Sequence, residues 1–430
     1  MSRVRADRYT NRAGTGSPTF SEGVNVVGIS SLGITTVTGV GQTALTVNGD
    51  ARITGVLTVG QGSVTIGSTN ITTQYINDIQ YPTTGPLSNR NLIINGAMQV
   101  AQRGTQVTGV TDTNFTTTDR FKQEINSLGT WTIDQSTDAP DDFTYSFKLT
   151  CTTANASPAA SAYSYVGYKV EAQDLQQLNY GSSAAKAMTL SFWVKSNKTG
   201  NSTVAILQRD NSLQLLSPQY SISAAGTWEY KTISIPGDTA GVINNDNGSG
   251  LEFEFYFNAG STYTTGSHQT TWSTYNNANR CPSSLGVGGA TSDYFAITGV
   301  QLEVGERSTP FEHRSYGDEL AKCQRYYVAM GPQGDVNYVH EIGVGYCESN
   351  LVARGYVQFP TTMRSNPTVT SDQLEIKTIT GLQRNMNSPT FETNENGVYI
   401  DASNTGLTAG AGGLIRLETN AGKLEADAEL

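Results

Sequence analysis

Three aromatic residues stand where sugar chemistry could use them. Trp272 and Tyr275 lie in a stretch of Gln, Thr, Ser and Asn between His268 and Asn279, with Tyr263 just upstream. Pyranose C–H faces stack on exposed rings, while amides and hydroxyls bond the sugar hydroxyls, so Tyr263, Trp272 and Tyr275 are the candidate glycan contacts. The bland alternative for Trp272 is a lid over a hydrophobic core. Trp193 and Trp228 sit in regular strand-like runs and are expected inside. Cutting a glycan takes two carboxylates about 5–9.5 Å apart. Glu252 and Glu254, two apart on one strand face, have a suitable spacing, but such a pair is expected to be solvated surface. Asp141-Asp142 follow Pro140 and read as a turn. No catalytic residue is assigned, and the chain is expected not to be an enzyme.

Other chemistry finds no support. His268, His313 and His340 have no His or Cys at metal-ligand spacing. Neither a nucleophile elbow nor a phosphate loop occurs. Asn244 to Gly250 is rich in oxygen ligands but misses the calcium-loop spacing. No metal and no cofactor are therefore expected. Cys151, Cys281, Cys323 and Cys347 are too scattered for a disulfide framework, and free buried thiols from a reducing cytosol are the expectation.

The 27 basic and 37 acidic side chains leave a charge of −10. That argues against nucleic acid as a partner, since phosphate binding needs a basic footprint. No apolar run approaches the roughly 18 residues of a membrane span, so no membrane insertion is expected. The polar N-terminus has no secretory apolar core, which points to a soluble chain that is not exported by a cleaved signal.

The elements that must position these residues are strands. With 45 glycines in 430 residues and only 15% charged residues, short runs of Tyr, Thr, Val and Ile between Gly and Asn predict an all-β chain. Four segments follow. Residues 1–23 are too polar for a core and read as an extended peptide. Residues 24–88 carry very short strands broken by glycine, with Leu45, Val47, Ile53, Leu57, Val59, Val64, Ile66 and Ile71 as the inward side chains, and end in a linker. Strands that thin are not stable alone, so identical chains wound about one axis, an intertwined trimeric shaft, are expected to cover them. Residues 89–316 predict a β-sandwich. In it Leu251, Phe253, Phe255 and Phe257 face in, while Glu252 and Glu254 face out. Residues 317–430 predict a short helix after Ser315, with Leu320, Cys323 and Tyr327 on one face, and then a small β domain.

The phrase Asn89-Arg-Asn-Leu-Ile-Ile-Asn-Gly-Ala-Met-Gln-Val-Ala-Gln-Arg-Gly104 resembles the opening of the head module of bacteriophage tail-fibre proteins. Thr118-Asp-Arg-Phe121, Leu190 to Gly200, and Phe295 to Gly305 with Pro310-Phe-Glu312 are similar to later parts of that module. Phe359 to Val369 and Asp427 to Leu430 resemble the tip segments of such fibres. Ala6 to Gly16 resembles the virion-attachment peptide of fibres in phages of marine bacteria.

The resemblance implies a homotrimeric virion appendage with a jelly-roll head. It would be bound through its N-terminus to a phage tail or baseplate protein, and would meet a glycan or protein on the host cell surface. Arg3, Arg5, Arg8, Tyr9, Arg12 and Phe20 then become the virion anchor. An N-terminal anchor puts residues 330–430 farthest from the particle, where Tyr338, His340, Tyr346, Tyr356 and Tyr399 are the candidate tip contacts. The alternatives are a head fibre or capsid-decoration protein, and a tailspike-type glycan depolymerase.

Overall fold

Along Ser249–Ala259 every second side chain from Leu251 to Phe257 enters the main core, as the alternation predicts. The computed structural model in which this is seen describes residues 88–430 except 211–212, 332–339 and 418–421. It also gives the backbone of two short antiparallel strands, Gln74–Ile76 and Ile79–Tyr81. The anchor residues Arg3, Arg5, Arg8, Tyr9, Arg12 and Phe20 lie outside the described residues. So do Leu45, Val47, Ile53, Leu57, Val59, Val64, Ile66 and Ile71 of the expected shaft, and Tyr338 of the expected tip.

The described chain is all-β but for short helical turns, and its larger part is a sandwich of two antiparallel sheets. One sheet runs in the order Ser273–Thr274, Gln214–Leu216, Gly200–Gln208, Ser249–Ala259, Tyr163–Glu171, Lys122–Asn126, with Gln219–Ile222 also paired to Gly200–Gln208. The other runs Glu229–Ile235, Met188–Ser196, Tyr294–Val304, Ser146–Thr153, Thr130–Ser136, Gln106–Val110. The facing surfaces bury Trp131, Phe147, Phe192, Phe253, Phe257 and Phe295 completely, with the Phe257 and Phe295 rings stacked at 5.2 Å.

The outer face of the first sheet corrects the expectation for Glu252 and Glu254. Both are buried, at 3% and 0% exposure. Residues 260–281 fold back over the strand, and Tyr165, Leu207, Leu215, Tyr256, Tyr263 and Cys281 form a second apolar layer there. Carboxylates in such a layer need partners. Arg280 grips Glu254 through two nitrogens, and Arg209 does the same for Glu252. Burial pushes the Glu254 carboxyl up, and Arg280 opposes it.

The helix Tyr316–Gln324 begins as expected, with the Ser315 hydroxyl accepting the Asp318 N–H at 3.2 Å. It ends sooner, so Tyr327 opens the strand Tyr327–Met330 instead of extending the helix face. Beyond it, a three-stranded sheet (Tyr327–Met330, Lys423–Asp427, Thr368–Asp372) and a seven-stranded sheet enclose a separate core around Phe359, Met363, Ile376, Ile400 and Ile415. The seven-stranded sheet runs Gln383–Asn385, Leu374–Thr378, Gly412–Leu417, His340–Cys347, Val352–Gln358, Gly397–Ser403, Asn387–Asn394. All four cysteines are free and buried.

The two cores are joined by stacked arginines. Arg103 lies 3.4 Å over the Tyr327 ring and Arg120 lies 3.5 Å over Tyr326. Both guanidinium groups reach the Glu429 carboxylate. Glu171 accepts from Arg325 at 2.6 Å and from the Tyr326 hydroxyl at 2.8 Å. Four of these partners, Arg103, Arg120, Tyr326 and Tyr327, fall in or next to the quoted phrases and the helix.

Candidate functional site

Strand parity decides which face of the second sheet is open. In Met188–Ser196, Leu190, Phe192 and Val194 enter the core, so Ser191, Trp193 and Lys195 point outward. Trp193 is half-buried on that outer face, which corrects its expected place in the core. The next strand sets Tyr230 directly opposite it, and the two rings meet at 5.4 Å. Trp228 is not in the core either. Its indole N–H donates to Asp138 at 3.1 Å, and Lys195 donates to the same carboxylate at 2.8 Å. Although partial burial would raise Asp138, these bonds hold its carboxyl below the usual range.

Around Trp193 the chain builds a cleft of about 840 Å³. Trp193, Tyr230 and Phe143 line it together with Phe311, His313 and the turn Asp141-Asp142. Phe143, Phe311 and His313 pack on one another with ring centres 4.9 to 5.3 Å apart. The space beside them depends on a bulge in Tyr294–Val304, where the register slips between Thr298 and Gln301. Gly299 sits in that bulge at φ +60, and a Cβ there would come within 2.8 Å of Phe143 and 2.9 Å of Trp193.

The wall formed by Ser308 to His313 is fixed from behind. Glu303, 1% exposed, accepts from the Thr309 N–H at 2.9 Å and from Arg90 at 3.2 Å. Asn91 accepts the Leu302 N–H at 3.0 Å, and its own N–H reaches Glu312 at 3.0 Å. The phrase that opens at Asn89 thus holds the phrase that closes at Glu312. Rigid rings beside exposed carboxylates, hydroxyls and an imidazole suit a ligand with apolar C–H faces and a hydroxylated edge.

The residues singled out from sequence are placed differently. Trp272 packs against the main core, donating its N–H to the Pro236 carbonyl at 2.7 Å and meeting the Tyr180 ring at 6.0 Å. Tyr263 is 9% exposed, within the second layer. Tyr275 packs on the edge of that layer, bonded to Asn277 at 2.6 Å and to Arg280 at 3.2 Å. The three do not share a surface with the cleft. Tyr346, Tyr356 and Tyr399 do come together on the C-terminal sheet, whereas His340 begins its strand, opposite Leu417. Sequence reasoning missed the cleft, although the run Leu190, Phe192, Val194 already assigns Trp193 to the other face.

No family model matches the chain, and no curated protein matches it. Among solved structures, the enzymatically active domain of bacteriophage CBA120 tailspike protein 4 is similar over 50% of this chain and 21% of that one, with 14% identity and a TM-score of 0.27. A xylan-binding domain from Paenibacillus barcinonensis covers 50% of this chain and 99% of its own, at 12% identity and a TM-score of 0.24. The module TmCBM61, solved with β-1,4-galactotriose, covers 50% and 99%, at 10% identity and a TM-score of 0.23. Likeness this slight assigns neither fold nor function.

Proposed function

We propose that the protein is a structural fibre of a phage virion, a homotrimer attached by its N-terminus, that adheres to a glycan on the host cell surface. The observation that carries the adhesive part is the cleft walled by Trp193, Tyr230 and Phe143, kept open by Gly299. The fibre part rests on the resemblance of the Asn89–Gly104 and Phe295–Glu312 phrases, which the Asn91 and Arg90 contacts tie into one structural unit. The cleft binds without cutting. Its lining carboxylates, Asp141 and Asp142, are chain neighbours in one exposed turn, whereas glycoside hydrolysis uses a pair that flanks the scissile bond.

The test is an array of bacterial surface polysaccharides probed with the full-length protein. At least one polysaccharide should bind, and Trp193→Ala or Tyr230→Ala should each weaken it about ten-fold or more without changing thermal unfolding. Binding that ignores both substitutions would refute the cleft.

A further inference from the structure

The seven-stranded C-terminal sheet presents a second set of rings. Val344, Tyr346 and Tyr356 stand 63%, 44% and 37% exposed on its outer face. Register places Val344 opposite Tyr356 and Tyr356 opposite Tyr399, so three adjacent strands bring these side chains together. They line a recess of about 210 Å³, completed by Gly345 and Gly355. The Tyr356 ring lies down over Gly397, where a Cβ would come within 2.3 Å of its hydroxyl. That keeps one ring low against the sheet.

A polar edge runs beside the rings. Arg354 donates to Asp401 at 3.0 Å and pairs with Glu348 at 2.5 Å. Fixed donors and acceptors therefore line one side of an apolar floor, the pairing that a sugar ring presents in reverse. With two carboxylates on Arg354, no positive charge is left over for an anionic sugar.

We propose that the recess between Tyr346, Tyr356 and Tyr399 is a second carbohydrate subsite, taking one neutral sugar ring against the tyrosines with its hydroxyls on the Arg354–Asp401 edge. The proposal rests on the adhesin reading and adds a site separate from the Trp193 cleft. A recess of this size holds a single ring, so its contribution is avidity alongside the cleft.

The same polysaccharide array, neutral and anionic, tests it with full-length protein. Trp193→Ala silences the cleft and should leave weak binding to at least one neutral polysaccharide. Adding Tyr356→Ala should lower that residue of binding about ten-fold, and adding Tyr356→Phe instead should keep it. Wild type that binds no polysaccharide sinks both the adhesin reading and the subsite. Wild type that binds while Trp193→Ala loses everything, or Tyr356→Ala that changes nothing, sinks the subsite alone, as does binding confined to anionic polysaccharides. Val344→Asp should leave the sedimentation of the protein unchanged. If it breaks an oligomer, the face joins copies of the chain and the subsite is refuted.

Discussion

Gly299 bears on the cleft more directly than any ring in it. Its φ of +60 disfavours a side chain, and the Cβ of Gly299→Ala would press on both Phe143 and Trp193. The left-handed backbone alone costs a non-glycine residue about 1–2 kcal/mol. Gly299→Ala should therefore lower the unfolding free energy by at least about that much and weaken glycan binding as well; urea unfolding with the polysaccharide array reads both. Arg280 carries a different burden. It neutralises Glu254, which is fully buried. Removing one partner of a buried pair strands the other's charge, so Arg280→Ala should cost about 3–5 kcal/mol. A loss below 1 kcal/mol in urea melts would contradict the buried-pair reading. Neither position was singled out from the sequence. The alternation from Leu251 to Phe257 gives the inner face correctly. Whether the other face meets water depends on where residues 260–281 travel, and no local pattern holds that information.

At the scale of elements, the Asn89–Gly104 phrase links the sandwich to the C-terminal sheets. Gln102 donates to Asp119 through its backbone N–H at 2.9 Å and its amide at 2.5 Å, and the same amide reaches the Tyr327 carbonyl at 2.7 Å. Burial raises the Asp119 carboxyl from 3.8 to about 6, against the pull of Gln102 and Arg103. The folded protein thus holds this proton more tightly than the unfolded chain. Its contribution is present in full below about pH 4 and is lost as pH rises through about 6, a change of roughly 3 kcal/mol. The difference in stability between wild type and Asp119→Asn should shift by that amount, against wild type, between pH 4 and 7 in urea titrations. No shift would mean that Asp119 is not held in a desolvated site. The positions of several strands and the start of the helix were readable from alternation and from Ser315. The junction was not, because its arginines and tyrosines come from segments some 200 to 300 residues apart and carry no shared period.

For the whole molecule, the claim is one chain that serves as attachment, spacer and adhesin, with three copies multiplying weak sites through effective concentration. If the shaft is intertwined, Leu57→Asp puts three charges at one level, each costing several kcal/mol when unpaired. Sedimentation should then show a lost or frayed trimer, and a wild-type protein that sediments as a stable monomer would overturn the shaft. The most direct measurement of the account is competition for host cells. Purified full-length protein is mixed with bacteria before the phage is added, and free virions are counted. Wild type should block adsorption, while Trp193→Ala, folded and oligomeric to the same extent, should need about ten times more protein for the same block. Equal blocking by the two proteins, or none by either, would contradict an adhesive fibre that holds its host through the Trp193 cleft.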